Sequence, residues 1–104
     1  MYTQELISIN PATKETVGTV SQNTIDSLTN VFEKAKSSKD HWAKLRLAQR
    51  SRILRRVRRK FVEHMDELSE LIAAETGKTR WEGFLEVFTT VEHMRHVSRH
   101  VPES

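Results

Sequence analysis

The segment LAQRSRILRRVRRKFVEHMDELSELIAAETGK, Leu47–Lys78, places Leu47, Leu54, Val57, Phe61, Met65, Leu68 and Ile72 at intervals of three, four and seven residues. Side chains so spaced share one face of an α-helix, which predicts a long amphipathic helix from about Leu45 with a narrow stripe turned to a core. Arg52, Arg55, Arg56 and Arg59 fall on the opposite side, while Arg50 and Arg58 border the stripe, where their stems can cover apolar neighbours. The residues alone give one continuous helix. Gly77 stands where a left-handed C-cap ends it.

Upstream, Leu6–Ile9 and Thr16–Val20 are short β-branched runs around Asn10-Pro11-Ala12-Thr13-Lys14-Glu15, where Pro11 fixes its own φ and bars helix. They predict a hairpin, which is marginal in water unless it lies on another element. Ile25, Leu28, Phe32 and Ala35 recur at helical intervals and predict a helix from about Thr24 to Ser38. Ser37-Ser38-Lys39-Asp40 then reads as a loop with Trp42 as its apolar anchor. Downstream, Thr79-Arg80-Trp81-Glu82 has the form of a capping box opening a last helix that Pro102 stops. Trp81, Phe84, Leu85, Val87, Phe88, Val91 and Met94 give that helix a wide apolar arc, so it expects partners on more than one side. The fold class is mainly α: an N-terminal β-hairpin followed by three to four amphipathic helices.

A chain of 104 residues with 30% charged and 37% hydrophobic residues has the size and balance of one domain. No segment approaches the roughly 20 apolar residues that span a bilayer, and MYTQELISIN lacks the basic start and apolar run of a signal peptide. The expected location is cytoplasmic. Zero cysteines remove disulfides and thiolate metal sites. The net charge of +3 owes most to the run from Arg50 to Lys60, which raises the question of nucleic acid. No aromatic residue interleaves with these arginines to stack a base, so a solvated basic face is the preferred reading.

Other constellations have a structural alternative beside the chemical one. His93, His96 and His100 share a helical face with Glu86 nearby, a spacing that can chelate zinc or nickel. Glu92-His93 lacks the rest of HExxH, however, and a polar strip facing solvent is the simpler expectation. Lys78 has no apolar pocket or second cation to depress its pKa, so it reads as a charge near a helix end. Trp42, Trp81, Phe84 and Phe88 could line a groove, although aromatic residues at helical spacing are more often core.

Four stretches in order carry a family resemblance: ISINPATKETVGTV (Ile7–Val20), a helix ending near Trp42, LAQRSRILRRVRRKF (Leu47–Phe61) and DELSELIAAETGK (Asp66–Lys78). They resemble the N-terminal segment of the NAD(P)-dependent aldehyde dehydrogenase family, with NPAT (Asn10–Thr13) and ETGK (Glu75–Lys78) as landmarks. The resemblance implies that residues 1–104 are a single partial domain, the helical layer at the start of an α/β dehydrogenase's NAD-binding domain. Its expected elements are a hairpin over 5–20 and helices over about 24–38, 45–63, 66–76 and 79–100. The family pattern breaks the long helix between Glu63 and Asp66, with Asp66 as N-cap of the second half.

The resemblance also identifies what is missing. The family's nucleophile is a cysteine thiolate, and this chain has none. The general-base glutamate, the oxyanion-stabilising asparagine and the nucleotide loop come from later sequence in the family. Gly18, Gly77 and Gly83 make no Gly-rich turn. Expected catalytic residues are therefore none, and expected cofactor-binding residues none, with NAD or NADP belonging to the full-length family. One inherited site is implied: backbone carbonyls of Ser8 and Ile9 with the Glu75 carboxylate around a monovalent cation, completed by a later ligand. Two functions follow as expectations. In one the chain is scaffold for a dehydrogenase that oxidises an aldehyde to an acid, inactive as it stands. In the other it is a helical module that forms a homo-oligomer through exposed apolar helix faces, with nucleic acid at the Arg50–Lys60 face a distant third.

Overall fold

The computed structural model describes residues 4–100. The chain forms a hairpin, β1 (Glu5–Ile9) and β2 (Thr16–Ser21), and four helices, α1 (Ile25–Lys44), α2 (Leu47–Glu63), α3 (Met65–Thr76) and α4 (Arg80–His100). The expected mainly α class with an N-terminal hairpin is what the structure has. The stop assigned to Pro102 lies outside the described residues. No described helix is long and apolar enough to cross a membrane.

The strands pair antiparallel from Glu5 opposite Ser21 to Ser8 opposite Gly18, then slip so that Ile9 faces Thr16. The slip leaves Val17 as an extra residue, a bulge that bends the strand end. Asn10 organises the turn: its Oδ1 accepts from the amides of Ala12 (2.9 Å) and Thr13 (3.2 Å), and its carbonyl from Lys14 (2.8 Å). Lys14 takes the left-handed conformation at φ 67°. The hairpin lies on α3. Part of its support is thus inside the chain, although Leu6, Ile7, Ile9 and Val20 stay exposed.

α1 runs through the segment Ser37-Ser38-Lys39-Asp40 that sequence assigns to a loop. Neither Gly nor Pro interrupts it, and the hydroxyls of Ser37 and Ser38 donate to the Lys34 carbonyl at 2.8 and 3.0 Å, so these polar residues are satisfied within the helix. The real break is at Leu45 and Arg46, both extended. There the guanidinium of Arg50 reaches back, Nη2 to the Ala43 carbonyl (2.9 Å) and Nε to that of Leu45 (3.2 Å). A cation on free C-terminal carbonyls suits the helix dipole.

α2 and α3 are separate, divided by His64 alone (φ −103°, ψ 17°). His64 takes the N-cap position of α3, without a side-chain cap, and Asp66 lies in the first turn instead. Gly77 closes α3 at φ 73°, and its amide donates to the Ala73 carbonyl.

α4 is the hub, packed on both α3 and α2. Its buried residues are Gly83, Val87, Val91 and Ser98, facing Ser69 of α3 and Ser51 of α2 among the buried set. The seam is built of small residues. A Cβ on Gly83 would stand 2.4 Å from the Ser69 carbonyl oxygen, so glycine is what lets α3 and α4 touch backbone to backbone. The predicted stripe is only partly used: Phe61, Met65, Leu68 and Ile72 are half-buried, but Leu47 and Val57 remain 47% and 40% exposed. α2 buries Ser51 and half-buries Arg58, while the N-terminal part of the stripe stays uncovered.

Candidate functional site

The two sequence landmarks meet in space. A Cβ built on Gly77 would lie 3.0 Å from Cγ of Pro11 and 3.7 Å from Cβ of Ala12, so the NPAT turn sits on the ETGK helix end. Beside them, Ser8 Oγ donates to Glu75 Oε1 at 3.1 Å. Ser8 is held by β1 and Glu75 by the last turn of α3. Ile9 follows at the bulge with an exposed side chain. Of the three residues assigned to a cation, two are thus in direct contact and the third is adjacent in the strand. A hydroxyl, a carboxylate and strand carbonyls are oxygen donors of the kind hard cations take.

The next turn of chain is a set of polar clasps. The Thr79 amide donates to Glu82 Oε2 (2.9 Å) and the Glu82 amide to Thr79 Oγ1 (3.2 Å), the reciprocal pair of a capping box. These bonds from Thr79 hold the Glu82 carboxyl below its ordinary range. Lys78 pairs with Glu86, whose hydrogen bond and charge hold the ammonium above its ordinary pKa. A nucleophilic lysine needs the opposite shift. Arg80 Nη2 meets Glu70 at 3.2 Å, tying α4 to α3.

The remaining candidates are dispersed. Among the described residues no group of three or more His, Cys, Asp or Glu is placed to hold a metal. Glu86 is engaged by Lys78, and the rings of His96 and His100 stack at 4.2 Å, with His100 Nδ1 donating to the His96 carbonyl (2.9 Å). The aromatic residues expected in the core are a correction: Trp81, Phe84 and Phe88 stack in a row at 5.5 and 6.1 Å, but Trp81 is 65% exposed and only Phe84 is half-buried. α4 spends its buried face on Gly83, Val87 and Val91, leaving the bulky arc outside. Trp42 lies apart on α1. Arg52, Arg55, Arg56 and Arg59 face solvent.

No glycine offers a cradle for a dinucleotide's phosphates. Gly77 is filled by Pro11, Gly83 by Ser69, and Gly18 sits within an antiparallel strand rather than between a strand and a helix.

Residues 2–103 match the model of the Aldehyde dehydrogenase family. The chain belongs to that family. Malonate-semialdehyde dehydrogenase 2 of Oceanobacillus iheyensis is 33% identical over 82% of this chain and 18% of its own length. Malonate-semialdehyde dehydrogenase 3 of Geobacillus kaustophilus is 34% identical over 86% of this chain and 18% of its own. A crystal structure of a NAD-dependent benzaldehyde dehydrogenase from Corynebacterium glutamicum superposes with a TM-score of 0.87 at 26% identity, covering 96% of this chain and 22% of that one. This aldehyde dehydrogenase chain therefore spans under a fifth of the length of these curated relatives, and it is an N-terminal fragment of the family's architecture.

The small-residue seam of the aldehyde dehydrogenase segment is what sequence reasoning missed. Its signal was present: Gly83, Val87, Val91 and Ser98 repeat at four, four and seven residues. A search for large apolar side chains passes over it.

Proposed function

We propose that this chain is the N-terminal scaffold of an aldehyde dehydrogenase that, as a full-length protein, oxidises an aldehyde to an acid in the cytoplasm with NAD or NADP as hydride acceptor. The 104 residues themselves carry out no catalysis and bind no dinucleotide. The observation that carries this reading is a family match over nearly the whole chain in a sequence without cysteine, since the thiolate is what would form the acyl intermediate. The relatives' names favour a carboxylate-bearing semialdehyde as substrate. Within the scaffold, Ser8, Ile9 and Glu75 supply one side of a monovalent-cation site.

The test is a chimera in which residues 1–104 replace the matching segment of the Corynebacterium benzaldehyde dehydrogenase. NADH formation from benzaldehyde by the chimera, with none from the 104-residue chain alone, is the expected result. A folded chimera that makes no NADH overturns the scaffold reading, and turnover by the isolated chain overturns its inactivity.

A second reading concerns the isolated chain, which self-associates. Its radius of gyration is 17.7 Å, against about 13 Å for a compact domain of this length. Its accessible surface is 8741 Å², against about 6,000 Å² for a compact monomer of this mass. Chains with this much uncovered surface, much of it apolar, tend to associate.

A further inference from the structure

The end of α4 brings two imidazoles together. His96 and His100 lie four residues apart, one turn of helix, so their side chains leave the same face. Their rings stack with centroids 4.2 Å apart and planes 24° from parallel. His100 Nδ1 is 2.9 Å from the His96 carbonyl oxygen. A carbonyl only accepts, so Nδ1 carries the proton, and the neutral ring keeps the lone pair of its Nε2 free. One ring nitrogen donating to a backbone carbonyl while the other stands free is the arrangement in which metal-bound histidines are held. Both residues are exposed, in a shallow concavity of about 280 Å³ lined also by Glu92, Arg95 and Arg99.

We propose that His96 and His100 form a two-nitrogen site for a late first-row divalent cation, Cu²⁺, Ni²⁺ or Zn²⁺. Metal–imidazole bonds of about 2.0–2.1 Å place two donors on one ion about 3 Å apart. Near-parallel rings 4.2 Å apart have only to tilt toward each other by about 1 Å, a change of side-chain torsion alone. Both donors belong to a single helical turn, so the site is complete without any other element.

The neighbouring groups set the limits of the site. His93 stays outside it: seven residues separate it from His100, about 10 Å along the helix axis, a rise that one ion does not bridge. Glu92 is engaged by Arg95 at 3.7 Å. With two protein donors the ion keeps positions open to water. Arg99, beside the site, repels cations, so binding rests on nitrogen coordination rather than on charge. That excludes Mg²⁺ and Ca²⁺, which take oxygen ligands, and favours Cu²⁺ over Ni²⁺.

The 104-residue chain is titrated with Cu²⁺, Ni²⁺ and Mg²⁺ by calorimetry, and electron paramagnetic resonance counts the nitrogens bound to Cu²⁺. One Cu²⁺ per chain is expected, coupled to two imidazole nitrogens, with weaker binding of Ni²⁺ and none of Mg²⁺. His96→Gln and His100→Gln are each expected to weaken Cu²⁺ binding at least ~10-fold, since losing a ligand costs no less than losing the hydrogen bond that supports one. Each should leave one nitrogen in the spectrum, while His93→Gln changes neither readout. Both rings are exposed, so the variants keep the helix content of the wild type by circular dichroism. Bound Ni²⁺ should also slow amide exchange in the last turn of α4, which an ion held elsewhere would not do. Cu²⁺ affinity that withstands either His96→Gln or His100→Gln overturns the site. So does coupling to a single nitrogen in the wild type, or an equal loss of affinity with His93→Gln.

Discussion

Pro11 is seated on Gly77: its Cγ lies 3.0 Å from where a Cβ on that glycine would stand, and Gly77 is at the same time the left-handed cap of α3. One residue thus ends a helix and receives the hairpin turn. Gly77→Ala is expected to cost about 1–2 kcal/mol from the left-handed backbone alone, and more from the displaced proline. Gly77→Asn should recover part of the backbone cost but none of the contact, since asparagine tolerates φ above zero yet still carries a Cβ. Urea titration followed by circular dichroism ranks the three chains. Equal stability of Asn and Gly would show that the Pro11 contact contributes nothing.

Gly83→Ala separates helix propensity from packing. Propensity alone predicts a gain of up to about 1 kcal/mol. The Ser69 carbonyl, 2.4 Å from the new methyl, requires α3 and α4 to part. Overpacking of this kind costs about 1–3 kcal/mol, so the net change is expected to be destabilising, with a lower midpoint in thermal unfolding.

The capping box makes stability depend on acid. Glu82 titrates below its ordinary 4.5 in the folded chain because of Thr79, so its contribution is present above that value and is lost as pH falls through the depressed folded value. Thr79→Ala is expected to lower stability by about 1 kcal/mol near neutrality and to flatten the acid limb of the melting-temperature profile. Lys78 has the opposite sign. Its raised pKa gives a contribution present below 10.5 that is lost only as pH rises through the higher folded value, so Lys78→Gln should flatten the alkaline limb.

Arg50 fixes the elbow between α1 and α2 through the carbonyls of Ala43 and Leu45. Arg50→Met keeps the stem and removes the donors. Amides in the last turn of α1 should then exchange with solvent roughly 5- to 10-fold faster, matching a loss of about 1 kcal/mol for such bonds, while amides of α4 keep their protection.

Arg58 offers a change of the other sign. Its Nε is buried without a hydrogen-bond partner. Arg58→Met retains the packing of the stem and deletes the unsatisfied donor, an exchange expected to be neutral or stabilising by up to about 1 kcal/mol. A clear loss of stability would mean that the guanidinium is satisfied in solution.

Local chemistry by itself determined the hairpin, the helical character of the rest and the family. Asn10 and Pro11 dictate a turn whatever surrounds them, and the three-and-four spacing from Phe61 to Ile72 is a property of the helix that no packing can alter. The order of NPAT and ETGK pointed to the family. That Ser8 reaches Glu75, 67 residues away, was implied only through resemblance. Local patterning failed where the decision was collective. Ser37 and Ser38 look like a loop until their hydroxyls find the Lys34 carbonyl within a helix already formed around them. The aromatic residues of α4 look like core, yet Gly83, Val87 and Val91 took the buried face because small residues let helix backbones approach more closely than Trp81 or Phe88 would permit. Tertiary structure alone decided that Leu47 and Val57 stay in water, because a helix bears more apolar residues than one neighbour can cover, and only the arrangement of its neighbours selects which of them are buried.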